Sequence, residues 1–216
     1  ATLVCVAASA DSDGVLDLSR VDYSNLGGLG PMRDVEQTLR FREVLDIYGV
    51  KVDMAMTAGQ GYTPHDVSLN GLVDQLNQGN PVAAISLKAG TAIDLKVAFF
   101  EMGTTTPIRV PKVVFSVFDL ERPSAKEEKR VTVKGFDAVY LTRATELMFQ
   151  RVPGGAAFRP SDGAPVGDVT DPSDGLLLSE RQRAHAATFI IHSVQAFSLR
   201  FALHGEDAGA GAGALA

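Results

Sequence analysis

Alternation with a period of two narrows what this chain can become more than any other feature. In Thr91–Phe99 the residues Ile93, Leu95, Val97 and Phe99 fall on one face of an extended segment, with Asp94 and Lys96 on the other. Phe197, Leu199, Phe201 and Leu203 alternate in the same way with Ser198, Arg200 and His204, and Val50, Val52, Met54 and Met56 with Lys51, Asp53 and Thr57. Successive side chains of a strand point to opposite faces, so one apolar face per segment is what an antiparallel sheet over a core requires. Further strands are expected at Val15–Ser19, Leu39–Ile47, Val82–Lys88, Val113–Leu120, Arg130–Lys134, Ala138–Thr142, Glu146–Gln150 and Ala187–His192.

Turn residues punctuate these strands, as in Asn77-Gln78-Gly79-Asn80-Pro81, Ala89-Gly90 and Gly103–Pro107. Many short strands with frequent Gly and Pro imply an all-β fold, an antiparallel two-sheet β-sandwich of jelly-roll type, rather than a βαβ fold. Helix is expected only as one short turn near residues 179–185, where Ser179-Glu180-Arg181-Gln182 has the form of a capping box. Residues 1–206 read as a single sandwich domain and 207–216 as a flexible Gly/Ala tail. Val152–Gly175, rich in Gly, Pro, Asp and Ala, is expected to lie outside the sheets as a long loop.

Composition sets the remaining bounds. At 216 residues with 45% hydrophobic content, the chain should bury roughly 70% of its unfolded surface and needs neither disulfide nor metal to fold. The balance of 20 basic against 26 acidic residues gives a net charge of −6 with no basic stripe, which argues against nucleic acid as a partner. The densest charge cluster, Lys126-Glu127-Glu128-Lys129-Arg130, is of mixed sign and reads as a solvated hairpin tip. No apolar run approaches the ~20 residues that span a bilayer, so the protein is expected to be peripheral to a membrane at most. A start at Ala1 suggests removal of a targeting segment and export.

Recognisable machinery is missing. His65, His185, His192 and His204 are not spaced as zinc ligands, and there is no nucleophile elbow, P-loop or dinucleotide fingerprint. Cys5 lies in the apolar run Leu3–Val6, as a structural cysteine would. No catalytic, cofactor-binding or metal residue is therefore assigned, and the chain is expected not to be an enzyme. Ser-Asp-Gly recurs at Ser12–Gly14, Ser161–Gly163 and Ser173–Gly175, which reads as three turns. A sharper reading places calcium on Asp11 and Asp13, or on Asp168, Asp171 and Asp174, though neither set forms an EF-hand loop. Asp119 and Glu121, which end the strand Phe115–Leu120, are open to an ion or a sugar hydroxyl. Asn25–Gly30, followed by Pro31, reads as a glycine loop suited to close approach by a neighbour.

The order of several short motifs resembles a family of exported β-sandwich domains of algae, notably dinoflagellates, with relatives in other protists and cyanobacteria. The segments are Tyr62-Thr63-Pro64, Asn70-Gly71, Leu87–Thr91, Ile93–Phe99, Phe115–Glu121, Val131–Phe136, Thr170-Asp171-Pro172 and Ser193–Phe201, about two-thirds of the chain. The resemblance implies a processed accessory subunit docked through protein contacts on a larger membrane assembly, such as a lumenal extrinsic subunit of a photosystem–antenna complex in the thylakoid. The N-terminal segment and Val152–Gly175 are its expected contacts. The alternative is a secreted or cell-surface carbohydrate-binding module, calcium-assisted or not. The absence of Trp weakens that alternative, because sugar clefts lean on flat aromatic platforms.

Overall fold

The structure, a computed structural model, describes residues 2–6, 16–32, 36–72, 82–167 and 179–205. Its strands are β1 (Thr2–Val6), β2 (Val21–Ser24), β3 (Thr38–Ile47), β4 (Val50–Ala58), β5 (Gly71–Leu72), β6 (Val82–Ser86) and β7 (Thr91–Glu101). There follow β8 (Val110–Phe118), β9 (Glu128–Lys134), β10 (Ala138–Tyr140), β11 (Leu147–Val152), β12 (Gly155–Pro160), β13 (Ala187–Val194) and β14 (Ala196–His204). Among the described residues six strands form one sheet in the order β10-β13-β8-β1-β6-β5, and eight form the other in the order β11-β12-β9-β14-β7-β4-β3-β2. Every neighbouring pair is antiparallel. The all-β sandwich read from the sequence is the fold. No helix among the described residues is long and apolar enough to cross a membrane.

The period-two segments build the core. Ile93, Leu95, Val97 and Phe99 of β7 are buried, and their register partners Phe201, Leu199 and Phe197 on β14 are buried beside them. Edge-to-face aromatic pairs then join the two sheets: Phe158 of β12 meets Phe189 of β13 at 5.3 Å, and Phe115 of β8 meets Phe197 at 5.4 Å. Such pairs add about 0.5–1.5 kcal/mol each beyond the area they bury. The β3–β4 hairpin turns on Tyr48 and Gly49, both with positive φ (52° and 89°), as a two-residue turn matched to strand twist requires. α1 (Glu180–Ala184) carries the expected capping box, Ser179 and Gln182 exchanging side-chain and backbone hydrogen bonds.

Two expectations are corrected. Residues 155–160 belong to the eight-stranded sheet as β12, not to a loop running from 152 to 175. Pro153-Gly154 is the hairpin turn between β11 and β12, and Ala156, Phe158 and Pro160 alternate into the core. Gly155 is required there, because a Cβ would meet the Val133 carbonyl oxygen at 2.0 Å. The second correction is Val15–Ser19: residues 16–19 bury Leu16 and Leu18 but are not a strand. Their backbone meets β3 through isolated bonds (Asp17 N–H to Val44 O, 2.8 Å), opposite the irregularity between Phe41 and Leu45, where Glu43 takes φ 49°.

Candidate functional site

The most unusual chemistry lies where the chain leaves one sheet and enters the other. β8 ends at Phe118, Asp119 reverses the backbone with φ 64°, and β9 begins at Glu128. Period two along β9 sends Lys129, Val131 and Val133 inward together, Lys129 in register with Leu203. Lys129 is therefore 3% exposed, and its Nζ lies 2.5 Å from Asp119 Oδ2 and 3.0 Å from Glu121 Oε1. Glu121 is itself 1% exposed, and its carbonyl accepts from the Lys129 N–H at 3.0 Å. Burial pushes the Asp119 carboxyl up to about 8; the Lys129 ammonium opposes that shift and the Glu121 charge adds to it. The cluster is one amine between two carboxyls, one of which holds a proton at neutral pH.

This corrects two sequence readings. Of the cluster Lys126–Arg130, Lys126 is exposed, but Lys129 is a core residue, because β9 extends two positions further back than expected. Asp119 and Glu121 do not face solvent ready for an ion or a sugar; Lys129 occupies them. His185, just after α1, supports the same bend. It is buried, its Nδ1 donates to the Leu120 carbonyl at 3.0 Å, and its own carbonyl accepts from the Leu120 N–H at 3.1 Å. Its Nε2 stands 3.0 Å from Glu146 Oε2 but out of line for a hydrogen bond. Outside the cluster, Arg122, Lys126, Glu127, Glu128, Arg130 and His204 line an open recess of about 350 Å³.

A second buried charge sits on the outer face of the eight-stranded sheet. Asp53 of β4 is fully buried, beneath Arg40 of β3. Its Oδ1 accepts from Glu43 N–H (3.0 Å), and its Oδ2 from Gly103 N–H (2.9 Å) and Arg40 Nη2 (3.1 Å). Arg40 also donates to Thr104 O at 2.8 Å and lies 5.7 Å over the Phe100 ring. One carboxylate thus ties the β3 irregularity to the β7–β8 loop.

The two margins of the sandwich differ. At the β2/β5 margin a buried polar network laces the sheets: Ser24 Oγ donates to Asn70 O (2.8 Å), and Tyr62 OH lies 2.7 Å from both Asn70 Oδ1 and Ser86 O. Here glycines of the 25–30 loop serve internal packing, since Gly27 admits the Tyr62 ring and Gly30 the backbone of Ser24 and Asn25, while Leu29 is exposed. At the other margin β11, six residues long, pairs only with β12 among the described residues. Met148 and Phe149 are 45% and 58% exposed, and nearby Tyr140 of β10 is 61% exposed. Arg151 on β11, Arg143 in the β10–β11 connection, and Arg181 and Arg183 on α1 are exposed, with no ion-pair partner among the described residues. That connection is held on α1 by Glu146 N–H to Ala184 O at 3.0 Å.

Other sequence candidates separate. His192 is exposed and paired with Asp137 at 3.1 Å, and Asp162 of the Ser161–Gly163 turn accepts from Arg159 at 2.8 Å. His65 is exposed, and His204 has its pKa lowered by burial and by the Arg130 charge. Cys5 lies on β1, inside the six-stranded sheet between β6 and β8, so the N-terminal segment 2–6 is a sheet member rather than a free contact. Asp11, Asp13, Asp168, Asp171, Asp174, the Ser12–Gly14 and Ser173–Gly175 turns and the 207–216 tail lie outside the described residues. Among the described residues no group of three His, Cys, Asp or Glu is placed to hold a metal ion.

Comparison with protein-family models gives no match, and neither does comparison with curated proteins. Among solved structures, the chain is similar to the N-terminal domain of the Streptococcus gordonii adhesin Sgo0707, with 12% identity and a TM-score of 0.44. The match covers 77% of this chain and 43% of that one, so this chain spans less than half the length of its structural neighbour.

Proposed function

We propose that this chain is a non-catalytic docking domain, an accessory subunit that offers β11 to an extended, acidic segment of a protein partner in a larger assembly. The observation that carries this is the β11 edge, which no described strand covers. Natural sheets blunt their edges, and the other three edges here are short: β10 has three residues, β5 two, and β2 four with an irregular register. β11 has six and displays Met148, Phe149 and Arg151, with Arg143 exposed in the connection leading into it, on a chain whose net charge is −6. An added strand gains affinity from main-chain hydrogen bonds and specificity from alternate side chains, and acidic residues would complement the arginines.

The test is a photo-crosslinker at Phe149 in the native setting. One protein partner should be captured at that position, and capture should be lost in Met148→Lys. Adducts that are unaffected by Met148→Lys would overturn the proposal. The narrower expectation, a lumenal extrinsic photosystem subunit exported after N-terminal processing, rests on the motif resemblance. Co-migration with a thylakoid complex on a sucrose gradient would support it, and migration at the mass of the free chain would remove it.

A further inference from the structure

The buried Lys129 cluster has no part in docking, and its chemistry is that of a condensation. We propose that Lys129 and Asp119 join as an intramolecular amide, with Glu121 carrying the protons, so that the mature chain has a covalent tie between its two sheets. Three features converge. The nucleophile and the acid are held 2.5 Å apart, closer than the about 2.7–2.9 Å of a charge-assisted hydrogen bond. A carboxylate stands 3.0 Å from the same nitrogen. Lys129 and Glu121 are buried and Asp119 is mostly so, which favours the neutral acid and disfavours the returning water. Fixing both groups on adjoining backbone also removes the entropic cost of bringing an amine to an acid.

The step balances. Asp119 enters as the carboxylic acid and Lys129 as the ammonium. Glu121 takes one ammonium proton, and the freed lone pair attacks Cγ of Asp119, forming the C–N bond. Glu121 passes its proton to the departing hydroxyl, which leaves as water, and takes a second proton from nitrogen. The products are a secondary amide, one water and a protonated Glu121, with no oxidant, reductant or activating group consumed. The guanidinium of Arg40, against Asp53, is too weak a nucleophile to do the same.

The intact mass of the purified full chain reads this directly. The wild type should be lighter than its sequence by one water. A tryptic digest should contain a branched peptide joining residues 113–126 to 127–130, because amide formation protects Lys129 from cleavage. Lys129→Arg and Asp119→Ala should restore the full mass, and Glu121→Gln should leave most molecules unlinked. Wild-type protein at the full sequence mass, with the two peptides separate, overturns the proposal without recourse to any variant. Complete linkage in Glu121→Gln overturns the role given to Glu121. Neither outcome touches the docking proposal, whose readout is the β11 adduct.

Discussion

Asp53 is fully buried and Asp119 largely so, and their surroundings differ in kind. Asp53 meets a guanidinium and two backbone N–H groups, so each oxygen is satisfied by a donor that stays put. Asp119 meets one amine that it shares with a second carboxyl. The first arrangement holds a fixed charge as a structural anchor. In the second there are more acid groups than cations, so a proton is retained and a reactive pair results. Burial alone does not separate an anchor from a reaction centre; the number and type of donors do.

The largest expected effect falls on the anchor. Asp53→Ala should cost about 3–5 kcal/mol in denaturant unfolding, because Arg40 and two N–H groups lose their acceptor. A loss no greater than that of a surface substitution would erase the contrast. Next comes Glu121→Gln, whose unlinked chain should be less stable than wild type by about 2–3 kcal/mol, on the loop-closure argument used for disulfides. That gap should widen with pH. Burial, the largest cause of the raised Asp119 carboxyl, remains when the Glu121 charge is gone, so a free Asp119 binds a proton in the folded state over a range where the unfolded chain has released it. Stability then falls as pH rises above the ordinary carboxylate range of about 4, by at most about 1.4 kcal/mol per unit for one proton. Melting curves of the linked wild type should lack that slope.

His185→Ala should cost about 1–3 kcal/mol, by leaving the Leu120 carbonyl without its buried donor. It should also raise the unlinked fraction seen by mass, since Leu120 lies between Asp119 and Glu121. Smallest of all, Met148→Lys should leave stability within about 0.5 kcal/mol while abolishing the β11 adduct. A large loss of stability there would mean that β11 is packed rather than open.

The sandwich was legible because β7 and β14 alternate without interruption. Lys129 was legible in principle, standing two positions before Val131 on the same face, but the charge density of its neighbours pointed to a surface. β12 was hidden by Pro153, Gly154 and Gly155, which describe a loop in composition and a tight hairpin in space. Asp53 and His185 take partners from distant segments, at Gly103 and Leu120, so no local pattern announces them. The open margin could not be read at all, since an edge strand and an interior strand share one pattern and only strand order tells them apart.

β1 has a further consequence, for the order in which the molecule is made. It precedes every other described strand, yet it sits in the interior of its sheet, pairing Thr2 with Ser86 and Val4 with Phe118. During synthesis it must wait for partners that emerge roughly 80 and 110 positions later, which at about 5–20 residues per second is several seconds or more. Until then the six-stranded sheet cannot close, and β1 keeps both its flanks bare. Folding should therefore be slow and late, in keeping with a topology dominated by distant pairings, and a chaperone would have most to do in that interval.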